Sequence, residues 1–334
     1  MLLINGKSYL RLELLGRGGS SKVYKVQNNN SKVFAVKKVT FSDMDETIIK
    51  GFKGEIDLLQ RLNTEDRVVK LYDHEMKPTS VFLVMECGEI DLAHVLNARL
   101  GHPLDLSFVR YYATEMLHCL AAVHRHGIVH SDSKPANFLM VKGMLKIIDF
   151  GIANVVPEYT VNVHRDTHIG TPNYMAPEAL LDANQFDPSA PEGVKCMKVG
   201  KPSDVWSCGC IIYQMIYGKP PYASYNGPQR MLAIMNPDVV ISYPETGLGG
   251  IEVPPNAINL MKGCLQRDPS KRLLVEQVMN SSFLSPRSVE KYFLKELIEN
   301  AVRYGVDRQT MVEDLEIDFL TDDVWNKMSS KMRI

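Results

Sequence analysis

The chain opens on an alternation: Leu10, Leu12 and Leu14 are interleaved with Arg11 and Glu13, the period-two pattern of a half-buried strand, here running into a glycine cluster. Val23–Val26 and Val33–Val39 read as two further strands divided by the polar turn Asn28-Asn29-Asn30-Ser31. Between Asp45 and Leu62 the period changes, and Ile48, Phe52, Ile56 and Leu59 recur at helical spacing. Gly51 and Gly54 each weaken that helix by about 1 kcal/mol relative to Ala, so it must lean on tertiary packing. Strands near Val69–Tyr72 and Val81–Met85 complete a five-stranded antiparallel meander, and the polar segment Glu86-Cys87-Gly88-Glu89 marks a boundary after it.

Beyond that boundary the pattern is mainly helical. Phe108, Tyr112, Met116, Leu120 and Val123 form one stripe that stops at Gly127, a residue suited to a left-handed helix end. Two short apolar runs, Phe138–Val141 and Leu145–Ile148, flank Lys142-Gly143 as a hairpin that delivers Asp149 at its end. Asp182 to Lys201 is rich in Pro, Gly and polar residues and reads as an exposed insertion, followed by an apolar helix from Asp204 to Tyr217. The expected class is α+β: a sheet-and-helix lobe over residues 1–86, a helical lobe over 87–284 and an extension over 285–334. In the extension, Tyr292, Phe293, Leu297 and Ile298 fit an amphipathic helix ending near Gly305, ahead of an acidic stretch from Glu313 to Asp323. Packing on the large lobe and docking of a partner are both open readings of it.

Composition narrows the function classes. With 334 residues, 45% hydrophobic and 23% charged, the chain can bury a large core. A net charge of −1 gives no sign of a surface built for nucleic-acid phosphates or anionic lipid. The six cysteines lack metal-ligand spacing and read as reduced, intracellular thiols. Met1 to Lys7 is too short for a signal peptide, and the apolar run around Ile211-Ile212 is soon broken, so neither export nor a membrane span is expected.

The candidate chemistry lies in three strings. Leu15-Gly16-Arg17-Gly18-Gly19-Ser20-Ser21-Lys22-Val23 sits between two expected strands, which argues against a dinucleotide site. Its glycines would let backbone amides approach a triphosphate closely, although an ordinary Gly/Ser hairpin turn accounts for the string equally well. In the next strand Ala35 and Lys37 share a face. Glu55, on the buried stripe of the following helix, needs a cationic partner. Lys37 is the proposed one, held by this pair toward the α- and β-phosphates of a nucleotide; two solvated surface charges are the plain alternative. The sharpest signal is His130-Ser131-Asp132-Ser133-Lys134-Pro135-Ala136-Asn137 followed by Asp149-Phe150-Gly151. Phosphoryl transfer needs a carboxylate at the acceptor hydroxyl, here Asp132, and oxygen ligands for Mg²⁺, here Asn137 and Asp149. Lys134 can neutralise the migrating γ-phosphate.

The ordered set from Gly16 to Arg272 resembles the eukaryotic protein kinase family over about Tyr9 to Phe283. That resemblance implies a two-lobed fold with ATP and Mg²⁺ in the cleft. It implies an activation segment opened by Asp149 and closed by Ala176-Pro177-Glu178, with Arg272 paired to that glutamate and Asp204 starting a buried central helix. Several strings, among them Gly18-Gly-Ser-Ser-Lys-Val, Val84-Met-Glu-Cys-Gly and Ile148-Asp-Phe-Gly-Ile-Ala-Asn, are similar to the monopolar-spindle checkpoint (TTK-type) dual-specificity kinases. By that likeness Met85 gates the adenine pocket, the Glu86–Gly88 backbone bonds the base, Val23, Ala35 and Leu139 sandwich it, and Gly16, Gly18 and Gly19 cover the phosphates. Protein substrates among kinetochore and checkpoint components, and a place at the nucleus, kinetochore or spindle, are implied in the same way. Three positions depart from the usual pattern: Ser21 for a third glycine, Ser131 for an arginine that grips an activating phosphate, and Ser133 for a buried leucine. Thr160 and Thr167 are the expected phosphate acceptors, and Thr171 a structural hydroxyl. The expected activity is transfer of the ATP γ-phosphate to Ser or Thr, with Tyr as a further acceptor. The alternative is a pseudokinase acting as a binding scaffold, which the joint presence of Lys37, Asp132, Asn137 and Asp149 disfavours.

Overall fold

The computed structural model describes residues 1–18, 21–41, 46–150, 172–180, 200–286, 295, 298, 299, 302 and 314–331, with the side chains of 46–50 and some of those after 314 excepted. The chain separates into two compact units, Met1–Leu284 and Ser285–Ile334.

The first unit begins with β1 (Leu2–Ile4) and β2 (Lys7–Arg17), joined by Asn5-Gly6, both with left-handed φ of 46° and 74°. This is the two-residue turn whose twist matches a hairpin, and only Asn, Asp and Gly adopt it readily. Next come β3 (Ser21–Asn28), β4 (Val33–Thr40), α1 (Glu46–Arg61), β5 (Leu71–Lys77) and β6 (Ser80–Met85). The antiparallel sheet has six strands in the order β1-β2-β3-β4-β6-β5, one more than the sequence pattern predicts. Its edges approach each other: Asn5 and Lys7 both bond Asp73 of β5, at 2.7 and 2.8 Å. Inside this rolled sheet lies a small core of Ile4, Tyr9, Val26, Phe34, Val36, Phe82 and Val84. Alternate residues face the other way, where Val39, Leu71, Val81 and Leu83 share a larger core with Phe52, Ile56 and Leu59 of α1. Full burial of each of these three helix side chains contributes roughly 1.5–3 kcal/mol, which outweighs the cost of Gly51 and Gly54 at about 1 kcal/mol each.

One expectation fails in detail. Leu10, Leu12 and Leu14 do lie on a strand, but they are 49%, 47% and 51% exposed. Leu10 pairs with Gln27 on the face opposite Tyr9 and Val26, and α1 covers that face only at the β4–β6–β5 end. A register shift between Arg11 and Glu13 then breaks the alternation, so that Leu14 pairs with Tyr24 on the same face as Val26. The strand expected at Val69–Tyr72 starts later, because this stretch bridges to Ile147 in the large lobe instead: Val69 N–H donates to Ile147 O at 3.2 Å and Ile147 N–H donates to Arg67 O at 2.9 Å.

After the 86–89 segment come β7 (Ile90–Asp91), α2 (Leu92–Ala98) and α3 (Leu106–Arg125), whose N-termini are capped by Asp91 and Asp105. Gly127 follows α3 with φ 70°. The expected hairpin is present as β8 (Phe138–Val141) and β9 (Met144–Ile147), turning on Lys142-Gly143 and joined by β7 in a three-stranded sheet. Helix α4 (Lys201–Tyr217) starts a turn earlier than its apolar run, with Gly200 as N-cap and Pro202 in the first turn. A proline there forgoes an amide that has no helical partner anyway. Helix α4 is buried along most of its length, and α5 (Pro228–Met235), α6 (Pro255–Cys264) and α7 (Val275–Met279) complete the large lobe.

In the second unit a helix spans Asp314–Lys331, with Lys295 bonded to Asp318 at 2.7 Å. Tyr292, Phe293, Leu297, Gly305, the insertion residues up to 199 and the threonines at 160, 167 and 171 lie outside the described residues. All described cysteines are free. Among the described residues no helix is long and apolar enough to cross a membrane.

Candidate active site

The sheet register lays out one wall of the site. Directly paired residues put their side chains on the same face, so Gly16↔Val23, Val23↔Lys37 and Lys37↔Leu83 form one row across four strands. Ala35, opposite Met85, belongs to the adjoining row. Gly18 donates to Ser21 O at 2.8 Å, and a Cβ on Gly18 would come within 2.8 Å of Ser21 Oγ. Gly18 and Ser21 are thus brought together at the end of the row that carries Lys37; Gly19 and Ser20 fall outside the described residues.

Lys37 meets two carboxylates. Its Nζ lies 2.6 Å from Asp149 Oδ1 and 3.8 Å from Glu55 Oε1. The pair expected from the sequence is present but loose, and the second oxygen of Glu55 has no hydrogen-bond partner among the described residues. The electrostatics follow from that geometry. Burial pushes the Glu55 carboxyl up to about 7; Lys37 opposes the shift, and the charge of Asp149 adds to it. Burial would lower the Lys37 ammonium, but Asp149 and then Glu55 outweigh it and raise it above the ordinary lysine value. Burial would likewise raise Asp149, yet the charge and hydrogen bond of Lys37, helped by Lys134 and His130, hold it below the usual carboxylate range. The φ of Asp149 is 60°, a left-handed value uncommon outside glycine.

The second cluster lies on the loop before β8. Lys134 Nζ donates to Asp132 Oδ2 at 2.6 Å, while the amide of Asn137 donates to Asp132 O at 2.8 Å and Oδ2 at 3.3 Å. Ile148 N–H donates to Asn137 O at 2.9 Å, and His130 Nε2 donates to Ile148 O at 3.0 Å. These bonds stitch the loop to the segment carrying Asp149.

Asp204, fully buried at the start of α4, holds the loop from below. Its Oδ2 accepts from His124 Nε2 at 2.8 Å and from His130 N–H at 2.9 Å, and its Oδ1 accepts from Ser131 N–H at 2.9 Å. Ser131 has φ 59°, so this grip secures a strained residue just before Asp132. The hydroxyl of Ser133 lies 3.4 Å from the same Oδ1, so the buried position expected to miss a leucine has a polar neighbour. Arg272 forms the expected two-point pair with Glu178, at 2.6 and 3.0 Å, and also donates to Pro202 O.

The base-side residues also converge. Gly88 lies so close to Leu139 that a Cβ would come within 2.5 Å of Leu139 Cγ. Glu89 N–H donates to Met140 O at 2.9 Å, and among the described residues the Gly88 amide has no partner.

Three arrangements escaped the sequence reading. His124 bonds Asp204, Arg67 pairs with Glu115 of α3, and Lys146 pairs with Glu86 at 2.8 Å. Only the last had a local signal, a charge inside the apolar run Met144-Leu145-Lys146-Ile147.

The comparisons with known proteins bear on this geometry. The protein kinase domain family model matches residues 9–284. Serine/threonine-protein kinase MPS1 of Saccharomyces cerevisiae is 54% identical over 331 residues, covering 98% of this chain and 43% of that protein. Serine/threonine-protein kinase mph1 of Schizosaccharomyces pombe is 46% identical, covering 83% of this chain and 43% of its own. Dual specificity protein kinase TTK of Mus musculus is 39% identical, covering 84% of this chain and 32% of its own. The chain thus spans less than half the length of these relatives. Its match to the family model over most of its length shows that the chain belongs to the protein kinase domain family.

Proposed function

We propose that the chain is an active kinase that transfers the γ-phosphate of ATP to Ser or Thr of protein substrates, with Tyr as a further acceptor, in spindle-checkpoint signalling. The observation that carries the reading is the joint placement of Lys37, Asp149, Asn137, Asp132 and Lys134 on segments stitched to one another by hydrogen bonds. A scaffold that only binds partners has no need of that set. The checkpoint role rests on the likeness to kinases named MPS1 and TTK, and the Tyr activity on two relatives named dual specificity kinases.

The donor set suits magnesium bound with a nucleotide. Among the described residues no three His, Cys, Asp or Glu side chains cluster as a self-sufficient metal cage. Mg²⁺ characteristically takes only one or two protein oxygens and completes its shell with water and phosphate. Asp149 stays ionised beside Lys37, and Asn137 commits its amide nitrogen to Asp132, which leaves each an oxygen to offer. When bound, the metal would neutralise charge on the phosphates. The chain's own groups do the rest. Lys37 offers its ammonium from the sheet wall, and Asp132 presents a carboxylate that can accept the proton of a substrate hydroxyl. Lys134, already 2.6 Å from that carboxylate, brings positive charge to where phosphoryl oxygens gain negative charge. The Gly88 amide and its neighbours in 86–88 are the donors and acceptors for the base edge, with Leu139 beneath and Ala35 and Val23 above.

The test is γ-labelled ATP with a peptide library. Incorporation into Ser and Thr peptides supports the proposal. An enzyme that binds ATP and labels nothing under Mg²⁺ favours the scaffold.

A further inference from the structure

Lys146 of β9 is a charge among apolar neighbours and is only 7% exposed. Its Nζ lies 2.8 Å from Oε2 of Glu86, whose side chain is 11% exposed. The same oxygen accepts the Lys70 amide at 3.4 Å, while the Glu86 amide donates to Lys70 O at 2.9 Å. Glu86 is thus fixed through both backbone and side chain. Two residues on, the Gly88 backbone rests on Leu139, and Leu139 is the cross-strand partner of Lys146. One row of the β8–β9 hairpin therefore holds the 86–88 segment at both ends, by contact under Gly88 and by charge at Glu86. Desolvation largely cancels the attraction in a buried ion pair, so stability alone does not explain this one. What it adds over an apolar pair is a directional constraint on where Glu86 sits.

We propose that the Lys146–Glu86 pair is a positioning device for base recognition, setting the 86–88 backbone against Leu139 so that its polar groups meet the adenine edge. Neither side chain touches the nucleotide. The inference rests on the reading of this segment as the base-binding edge. It differs from any role of Lys37 or Asp149, because it concerns the base and not the phosphates.

The experiment compares wild type, Lys146→Met, Glu86→Gln and the double variant in the full chain, measuring adenosine affinity by calorimetry and steady-state kinetics with ATP. For Lys146→Met the adenosine Kd and the KM for ATP are expected to rise by the same factor, about tenfold, with kcat changed less than about threefold. In the double variant the loss is expected to be smaller than the product of the two single losses, since neither unpaired charge remains buried. Should Lys146→Met fail to fold, Glu86→Gln is expected to show the same split between KM and kcat. A folded single variant that melts earlier but keeps adenosine affinity within about twofold of wild type would overturn the proposal, as would weakened ATP binding with adenosine spared. Wild type that binds no adenosine overturns both this inference and the nucleotide reading beneath it. Wild type that binds normally beside an unaffected variant overturns this inference alone.

Discussion

Asp132 and Asp204 show how differently two carboxylates one loop apart can serve. Asp132 is partly exposed and touches only Lys134 and Asn137 in the hydrogen bonds described, so its loss should leave the fold intact. Asp132→Ala is expected to lower kcat by about a hundredfold or more, with the thermal midpoint within a degree or two of wild type. An unchanged rate would remove Asp132 from the chemistry. Asp204 is buried and accepts from a histidine ring and two backbone amides. Asp204→Ala strands those donors without water, and a loss on the order of 3–5 kcal/mol is expected in urea unfolding. Loss below about 1 kcal/mol would mean that the loop finds other partners. Of these two residues only Asp132 was assigned a chemical role from the sequence. Its neighbours His130 to Asn137 are contiguous, whereas the partners of Asp204 are drawn from α3 and the loop, far away in the chain. A local pattern cannot display such a pairing, and the same reason hid His124.

Helix α1 carries the pH dependence expected of the small lobe. Glu55 holds its proton to about pH 7 in the folded chain, against 4.5 for the ordinary group. Between those values the native state binds more protons than the unfolded chain, so stability falls as pH rises and the penalty is complete above about 7. The difference between pH 4.5 and pH 8 from this group is on the order of 3 kcal/mol. In Glu55→Gln that part of the slope should vanish from unfolding curves measured across the range. A slope identical to wild type would show that Glu55 is ionised throughout. The loose Lys37–Glu55 pair belongs to the same picture, and hydrogen exchange over Ile48–Leu59 is expected to be faster than over α4. At this scale the strand periods, the α1 stripe and the β8–β9 hairpin were all legible. Strand β1 was signalled too, by Asn5-Gly6 directly after the apolar run Leu2-Leu3-Ile4, but its three residues are too few to display a period. What alternation could not tell was cover. Nor does it show the register shift after Arg11, which puts Leu10 and Leu14 on opposite faces of the sheet, while the exposure of Leu10 depends on how far along the sheet α1 reaches.

For the kinase unit as a whole, the two halves are tied through side chains and backbone at once. The backbones of Arg67 and Val69 bond Ile147, the Arg67 side chain pairs with Glu115, and Glu86 pairs with Lys146. Lys37 and Asp149 face each other across the cleft, so a ligand that engages both stabilises the joined arrangement. Mg²⁺ with ATP at a hundredfold excess over Kd is expected to stabilise the fold by about 2.7 kcal/mol, seen as a raised melting midpoint that chelation of the metal reverses. A midpoint indifferent to both would contradict the site. The ordering of motifs from Gly16 to Arg272 made this architecture legible in outline, since each motif fixes a station in the fold. The ties between halves were not, because ion pairs between residues distant in sequence leave no spacing to read.

The central claim is that Lys37, Asp149, Asn137, Asp132 and Lys134 act together on one magnesium-bound nucleotide. It is tested most directly by transfer of labelled γ-phosphate to a Ser/Thr peptide, with wild type beside Asp149→Ala and Asp132→Ala at equal folded concentration. The account predicts transfer by wild type that requires Mg²⁺, and loss of about a hundredfold or more in each variant. Equal transfer by all three proteins would contradict it.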